Sequence, residues 1–106
     1  MNNKNFKIAQ EFALKIREKL GKATDIILYG SRARGDNELF SDMDVCIIVE
    51  KLNRKTREIV FRIAWEVGFK EGIIIVPLIF EKNEWEYSPI IESPIYKNIQ
   101  REGIKV

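Results

Sequence analysis

Hydrophobic positions follow a helical period in two long stretches of the chain. Over residues 6–20 and again over residues 53–69, apolar side chains recur every three or four positions, with charged side chains between them. This spacing predicts two amphipathic helices. Gly21 is placed to end the first helix in a left-handed conformation, and Asn53 is placed to cap the second. A last helix is predicted from Pro94 to Gly103, because proline is favoured in the first turn of a helix.

Short apolar runs between these helices predict β-strands. The runs span residues 25–29, 44–50 and 72–80 and are rich in isoleucine and valine. Pro77 has no backbone N–H, so its strand should lie at a sheet edge, at a bulge or near its own start. The order of elements predicts an α/β (α+β) fold, with a small mixed sheet flanked by helices. An exposed edge at residues 73–76 would favour a homodimer or a contact with a partner protein.

Composition limits the chain to a few classes of protein. With 106 residues, 45% of them hydrophobic and 32% charged, residues 1–106 are predicted to form one globular domain. A net charge of +2 does not by itself indicate nucleic-acid binding. The absence of histidine excludes histidine bases and most zinc sites, and a single cysteine excludes an internal disulfide. No stretch reaches the ~20 apolar residues of a membrane helix and no signal peptide is recognisable, so a soluble cytoplasmic protein is expected.

The turn after the first predicted strand is suited to binding phosphate. Gly30 and Ser31 follow the strand and precede about one turn of helix, which the Ser31 side chain is expected to cap. The backbone N–H groups at such a helix start and the Ser31 hydroxyl are donors for phosphate oxygens. Gly30 has no Cβ, so a phosphate can approach the backbone closely. Arg32 and Arg34 would add charge-assisted donors.

Two carboxylates lie at the start of the second predicted strand. Asp42 and Asp44 are two residues apart, so in a strand both would point to the same face. If the two strands are neighbours, that face looks toward the Gly30 turn. Mg²⁺ prefers oxygen ligands, is commonly shared by carboxylates and substrate phosphates, and would relieve the repulsion between the two acids. A phosphate-binding turn beside such a pair indicates metal-assisted phosphoryl or nucleotidyl transfer.

Several other residues have ordinary structural explanations. Trp65 and Trp85 are expected to pack in the core or at its rim, and Cys46 is expected to be buried and inert. A basic run over residues 51–62 is typical of an RNA-contacting face, but equally of a solvated helix face. Nucleic acid is therefore the less favoured partner.

Two segments together resemble a known family. GSRARG at residues 30–35, followed by SDMD at residues 41–44, is similar to the motif of the DNA polymerase β-like nucleotidyltransferase superfamily, and more narrowly to its minimal nucleotidyltransferase domains. The resemblance implies that Gly30, Ser31 and Arg34 bind the nucleoside triphosphate, and that Asp42 and Asp44 are the catalytic and Mg²⁺-binding carboxylates. It implies transfer of a nucleoside monophosphate, AMP from ATP above all, to a protein or nucleic-acid hydroxyl. Many such domains pair with a small helical HEPN-type protein as toxin and antitoxin.

The sequence departs from that family at one position. The family usually carries a third carboxylate on the next strand, where it helps to activate the attacking hydroxyl, and residues 73–80 contain no acid. Glu71 and Glu81 flank the run, and a different strand register would bring one of them to the metals. If neither reaches the site, the alternative is a catalytically impaired module that binds nucleotide or protein.

Overall fold

The computed structural model describes residues 3–22, 24–87 and 89–106. The elements within these residues, in chain order, are α1 Asn3–Leu20, β1 Asp25–Tyr29, α2 Ser31–Arg34, β2 Met43–Val49, α3 Arg54–Glu71, β3 Ile75–Glu81, α4 Lys82–Tyr87, a 3₁₀ turn at Pro89–Glu92, α5 Pro94–Glu102 and β4 Ile104–Lys105. The first strand has its predicted bounds, and the second is shifted by one residue. The two-residue β4 was not predicted, because so short a strand leaves no period in the sequence.

One mixed sheet joins the four strands in the order β3-β2-β1-β4. β1 pairs antiparallel with both β2 and β4, whereas β2 and β3 run parallel. Helices cover the sheet, so the predicted fold class is confirmed. The antiparallel β1–β2 pair positions the site, because it places the end of β1 beside the start of β2.

Alternating strand residues build a core on each face of the sheet. On one face, residues such as Leu28 and Val45 pack against α1 and α3. On the other, Ile27, Cys46 and Phe80 pack with Ile99 of α5 and with Trp85 of α4. Asp44 belongs by alternation to this second face and lies at the start of β2, where the apolar cluster stops.

The helix ends predicted at Gly21, Asn53 and Pro94 are confirmed. The Asn53 side chain accepts a hydrogen bond from the Thr56 N–H at 2.9 Å, and Gly21 has a φ of +103°. Pro94 lies in the first turn of α5, whose cap is Ser93. β3 begins at Ile75, three residues later than predicted. The reason is that Gly72 and Ile73 complete the end of α3, both donating to the Gly68 carbonyl.

β3 is an edge strand, which is one of the three positions that Pro77 allowed. Beside this edge, four exposed apolar side chains form a surface that we call the aromatic surface: Phe61, Trp65, Phe69 and Ile74. Trp65 is 68% exposed and stacks on Phe69, with ring centroids 5.1 Å apart, so it is not a core residue. Trp85 packs against Phe80 and Tyr96, as expected.

Cys46 is fully buried, and burial raises the pKa of its thiol to about 12, in agreement with an inert residue. Among the described residues, none of the helices has the length and apolar character needed to cross a bilayer.

Candidate active site

The turn at Gly30 lies directly against the Asp44 carboxylate. The β1–β2 register sets Tyr29 opposite Asp44, which brings the end of β1 next to the start of β2. Gly30 has φ +78° and ψ −159°, a conformation that is essentially restricted to glycine. A Cβ built on Gly30 would lie 2.6 Å from Asp44 Oδ2. The turn is therefore shaped around this carboxylate, and only glycine fits it.

Ser31 is the first residue of α2 and not its cap, which corrects the sequence prediction. Gly30 occupies the cap position, and no side chain makes a capping hydrogen bond there. The Gly30 carbonyl accepts from the N–H groups of Ala33 and Arg34, each at 3.0 Å. The prediction was wrong because the N-cap residue is Gly30. Glycine has no side chain, so only its backbone carbonyl takes part in the cap. The Ser31 hydroxyl is thereby left available for a ligand.

Asp42 and Asp44 share one electrostatic environment with Arg34. Asp44 is half-buried, and its pKa is raised by burial and then by the negative charge of Asp42, while the positive charge of Arg34 lowers it. Asp42 is exposed and comes just before β2. The structure thus brings together the Gly30 turn and the acidic pair. The roles assigned to these residues stay predictions.

A divalent cation fits this donor set. Two carboxylates that repel each other offer oxygen ligands, which hard cations such as Mg²⁺ prefer. Within the described parts of the chain, no group of three or more His, Cys, Asp or Glu side chains is placed to hold a metal. Asp42 and Asp44 could supply two of the oxygen ligands, and substrate oxygens and water the others.

We expect Asp44→Asn to stabilise the protein when divalent cations are absent. A carboxylate whose pKa is raised by folding costs the folded state free energy once it ionises, so its cost grows as pH rises through that pKa. Removing the charge should raise the free energy of unfolding at pH 7 by up to about 1 kcal/mol, a small gain because the group is half-exposed and screened. The gain should vanish well below pH 3.9, about the unfolded pKa of aspartate, because Asp44 is then protonated in both states.

Chemical denaturation in EDTA at pH 7 and at about pH 3 measures the stability gain and its loss on protonation. The control is Asp25→Asn, at the exposed start of β1. A lower stability of Asp44→Asn at pH 7 would show that burial of the Asp44 charge and its repulsion by Asp42 do not destabilise the folded state.

No acid of β3 reaches the pair. Val76 lies opposite Asp44 in the parallel register, so it occupies the neighbouring position on the same face. Glu81 is the last residue of β3, five residues farther and about 16 Å along the strand, and its carboxylate accepts from the Leu52 N–H. Glu71 ends α3, which covers the opposite face of the sheet. The expected departure from the family pattern is therefore present in the structure.

Arg32 does not serve as a phosphate donor, contrary to the sequence prediction. It is 5% exposed, and its guanidinium donates to the Ser41 carbonyl, the Leu39 carbonyl and the Asn5 side chain. These bonds hold the loop that leads into Asp42. A four-residue helix is too short for a period to show which arginine faces inward, so the sequence could not separate Arg32 from Arg34.

Arg34 faces the site, held by two acidic side chains. Its Nε donates to Asp36 at 3.0 Å, and its Nη1 donates to both oxygens of Glu102 at 3.1 Å. Glu102 also accepts from the Gly30 N–H at 3.2 Å. The role of Glu102 was not predicted from the sequence. The available signal was an acid in the last turn of a helix, where the helix dipole disfavours negative charge.

Comparison with known proteins decides the family. The family model described as "Nucleotidyltransferase domain" matches residues 10–106, which include the whole site. The chain belongs to the nucleotidyltransferase domain family. The resemblance found in the GSRARG and SDMD segments is thus confirmed.

Two relatives of this nucleotidyltransferase domain come from Methanocaldococcus jannaschii. "Putative protein adenylyltransferase MJ0141" is 30% identical over 92 residues, which cover 86% of this chain and 83% of the relative. "Putative protein adenylyltransferase MJ1305" is 36% identical over 81 residues, which cover 73% of this chain and 55% of the relative. The match thus spans only about half of the second relative.

A solved structure shares the fold. It is described as "Crystal structure of the toxin-antitoxin with AMP-PNP", superposes with a TM-score of 0.62 and has 13% sequence identity. The match covers 91% of this chain and 70% of that one. At this identity the likeness supports the nucleotidyltransferase fold and nothing finer.

Proposed function

We propose that this domain is a Mg²⁺-dependent adenylyltransferase that moves AMP from ATP to a hydroxyl group of a protein. The observation that carries the proposal is the contact between the Gly30 turn and the Asp44 carboxylate, with Asp42 beside it. The two relatives named as protein adenylyltransferases support ATP as donor and a protein as acceptor. Among the acceptors that the sequence left open, a protein hydroxyl is thereby favoured over nucleic acid.

The reaction assigns a task to each side chain of the site. The acceptor oxygen attacks the α-phosphorus, the bond to the bridging oxygen breaks, pyrophosphate leaves and the hydroxyl proton passes to water. Gly30 allows close approach of the polyphosphate, while the Ser31 hydroxyl and Arg34 donate to its oxygens. Asp42 and Asp44 would hold Mg²⁺, which when bound neutralises charge on the attacking and leaving oxygens.

The aromatic surface supports a protein partner. Ile74 is 66% exposed, and its carbonyl accepts a hydrogen bond from the Met43 N–H. The aromatic surface therefore extends to the start of β2, next to Asp42. Exposed apolar patches of this kind mark protein contacts more often than contacts with charged nucleic acid. We propose a small helical protein of the HEPN type as the partner, in a toxin–antitoxin pair. The toxin–antitoxin origin of the structural neighbour supports this choice.

Labelled ATP tests the activity. The domain is incubated with Mg²⁺ and its co-purified partner, using ATP labelled at the α-phosphate in one sample and at the γ-phosphate in another. Covalent label on protein from the α-labelled sample alone is expected, and EDTA should abolish it. Label from the γ-phosphate would indicate a kinase and overturn the proposal.

A binding module is the second candidate, favoured by Val76 in place of an acid beside Asp44. Without that carboxylate, no group of this strand is available to take the acceptor proton. In this case MgATP and the partner bind tightly while no α-label is transferred. The same labelling experiment, combined with calorimetry, therefore separates the two functions.

A further inference from the structure

Glu102 links the two parts of the proposed phosphate site. Its carboxylate accepts from the Gly30 N–H and from the Arg34 guanidinium, so one side chain of α5 contacts both the start and the end of the GSRAR segment. We propose that Glu102 is a positioning residue for nucleotide binding, an inference that rests on the proposed function. It fixes the Gly30 turn and the Arg34 side chain in place before the nucleotide arrives.

The strand register explains how Glu102 comes to this position. β4 pairs Ile104 with Leu28 on β1, and extending this register by two residues sets Glu102 opposite Gly30. Glu102 still belongs to helix α5, so no strand backbone lies opposite Gly30. The Glu102 side chain takes that place and accepts a hydrogen bond from the Gly30 N–H. A backbone carbonyl could also accept the hydrogen bond from the Gly30 N–H. Only a side chain can also hold Arg34.

The place of Glu102 in its own helix is unfavourable. It is the last residue of α5, where the dipole repels negative charge, and its side chain is only 17% exposed. Gly103, which follows, leaves the helix with its N–H on the Ile99 carbonyl, so helix termination does not require an acid at position 102. The carboxylate therefore serves the contacts that it makes across the sheet.

Those contacts leave Arg34 with free donors in a fixed place. Asp36 holds Nε and Glu102 holds Nη1, while a guanidinium has five N–H donors. No described contact occupies Nη2, and the charge of Arg34 already acts on Asp44. A long side chain loses much rotamer freedom when it binds a ligand, and prior immobilisation removes that cost. Glu102 thus contributes to nucleotide affinity without touching the nucleotide.

Three substitutions of Glu102 separate the effect of side-chain length from the effect of charge. Glu102→Gln keeps the length and the accepting oxygen, Glu102→Asp keeps the charge but cannot span both donors, and Glu102→Ala keeps neither. We expect the Kd for MgATP to rise about tenfold in the Ala and Asp variants and to stay within about threefold of wild type in the Gln variant. Glu92→Ala is the matched control, because that carboxylate pairs with Lys97 on the same C-terminal segment. Calorimetry well below each melting temperature gives Kd for folded protein.

The Kd values of the three variants distinguish the roles that Glu102 could have. Tighter binding in the Gln and Ala variants would show that Glu102 is an anion that competes with phosphate, and would overturn the proposal. An unchanged Kd in all three variants would show that Glu102 only stabilises the fold, and this result would also overturn the proposal. If the Ala variant does not fold, the Asp and Gln variants still decide between these cases. Failure of the wild type to bind MgATP would instead remove the proposed function, and this inference with it.

Discussion

The Asp42→Asn/Asp44→Asn double variant is expected to lose adenylyl transfer by at least about a thousandfold. It keeps the size and the hydrogen-bonding shape of both side chains and removes the two charges that would hold the divalent cation. Binding of ATP in the presence of Mg²⁺ should fall to the level seen with EDTA. Transfer of α-label measures the first effect, and calorimetry measures the second.

A matched control removes two charges from the other end of the same strands. Asp25 and Glu50 are exposed, one at the start of β1 and the other just after β2. The Asp25→Asn/Glu50→Gln variant should bind and transfer like wild type, so any loss in the first variant is not an effect of net charge. Equal MgATP binding by the Asp42/Asp44 variant and wild type would remove the metal-site assignment.

Gly30→Ala should have the second largest effect, on both stability and binding. The new methyl group would lie 2.6 Å from Asp44 Oδ2, in a backbone conformation that alanine strongly disfavours. We expect a loss of about 3 kcal/mol in the free energy of unfolding. Displacement of Asp44 should also weaken MgATP binding in the protein that remains folded.

Gly72→Ala provides the comparison for backbone strain alone. Gly72 also has a positive φ, +73°, but a Cβ there would meet nothing within 4 Å. We expect this variant to lose about 1–2 kcal/mol of stability and to bind MgATP normally. If the two alanine variants lost equal stability and bound alike, Gly30 would be only a turn residue. Urea denaturation and calorimetry provide both readouts.

The strands and long helices could be predicted because each buries one face, and burial leaves a period in the sequence. β1 is the clearest case: four apolar residues run from Ile26 to Tyr29 and stop at Gly30. β3 was placed too early because Ile73 and Ile74 continue the apolar pattern, although Ile73 donates its N–H to the end of α3. Apolar character alone does not distinguish a strand from the packed end of a helix.

The candidate site was predictable only where its members are close in sequence. Gly30 and Asp44 meet through one antiparallel pair, so local motifs were enough to suggest their contact. Glu102 reaches Gly30 across 72 positions of chain, and this contact depends on the register of a two-residue strand. The inward direction of Arg32 depends on Asn5, 27 positions earlier. Contacts of this range are set by the tertiary fold and leave no local pattern.

The anchoring of Arg32 ties the start of the chain to the chemistry of its middle. Asn5, in the first turn of α1, donates to the Arg32 carbonyl and to Asn37, and accepts from the Arg32 guanidinium. Hydrogen bonds of Asn5 thus hold the segment leading to Asp42 against α1, a helix that contributes no residue to the candidate site. Positions 5 and 32 should therefore covary during evolution, although neither side chain would contact the substrate.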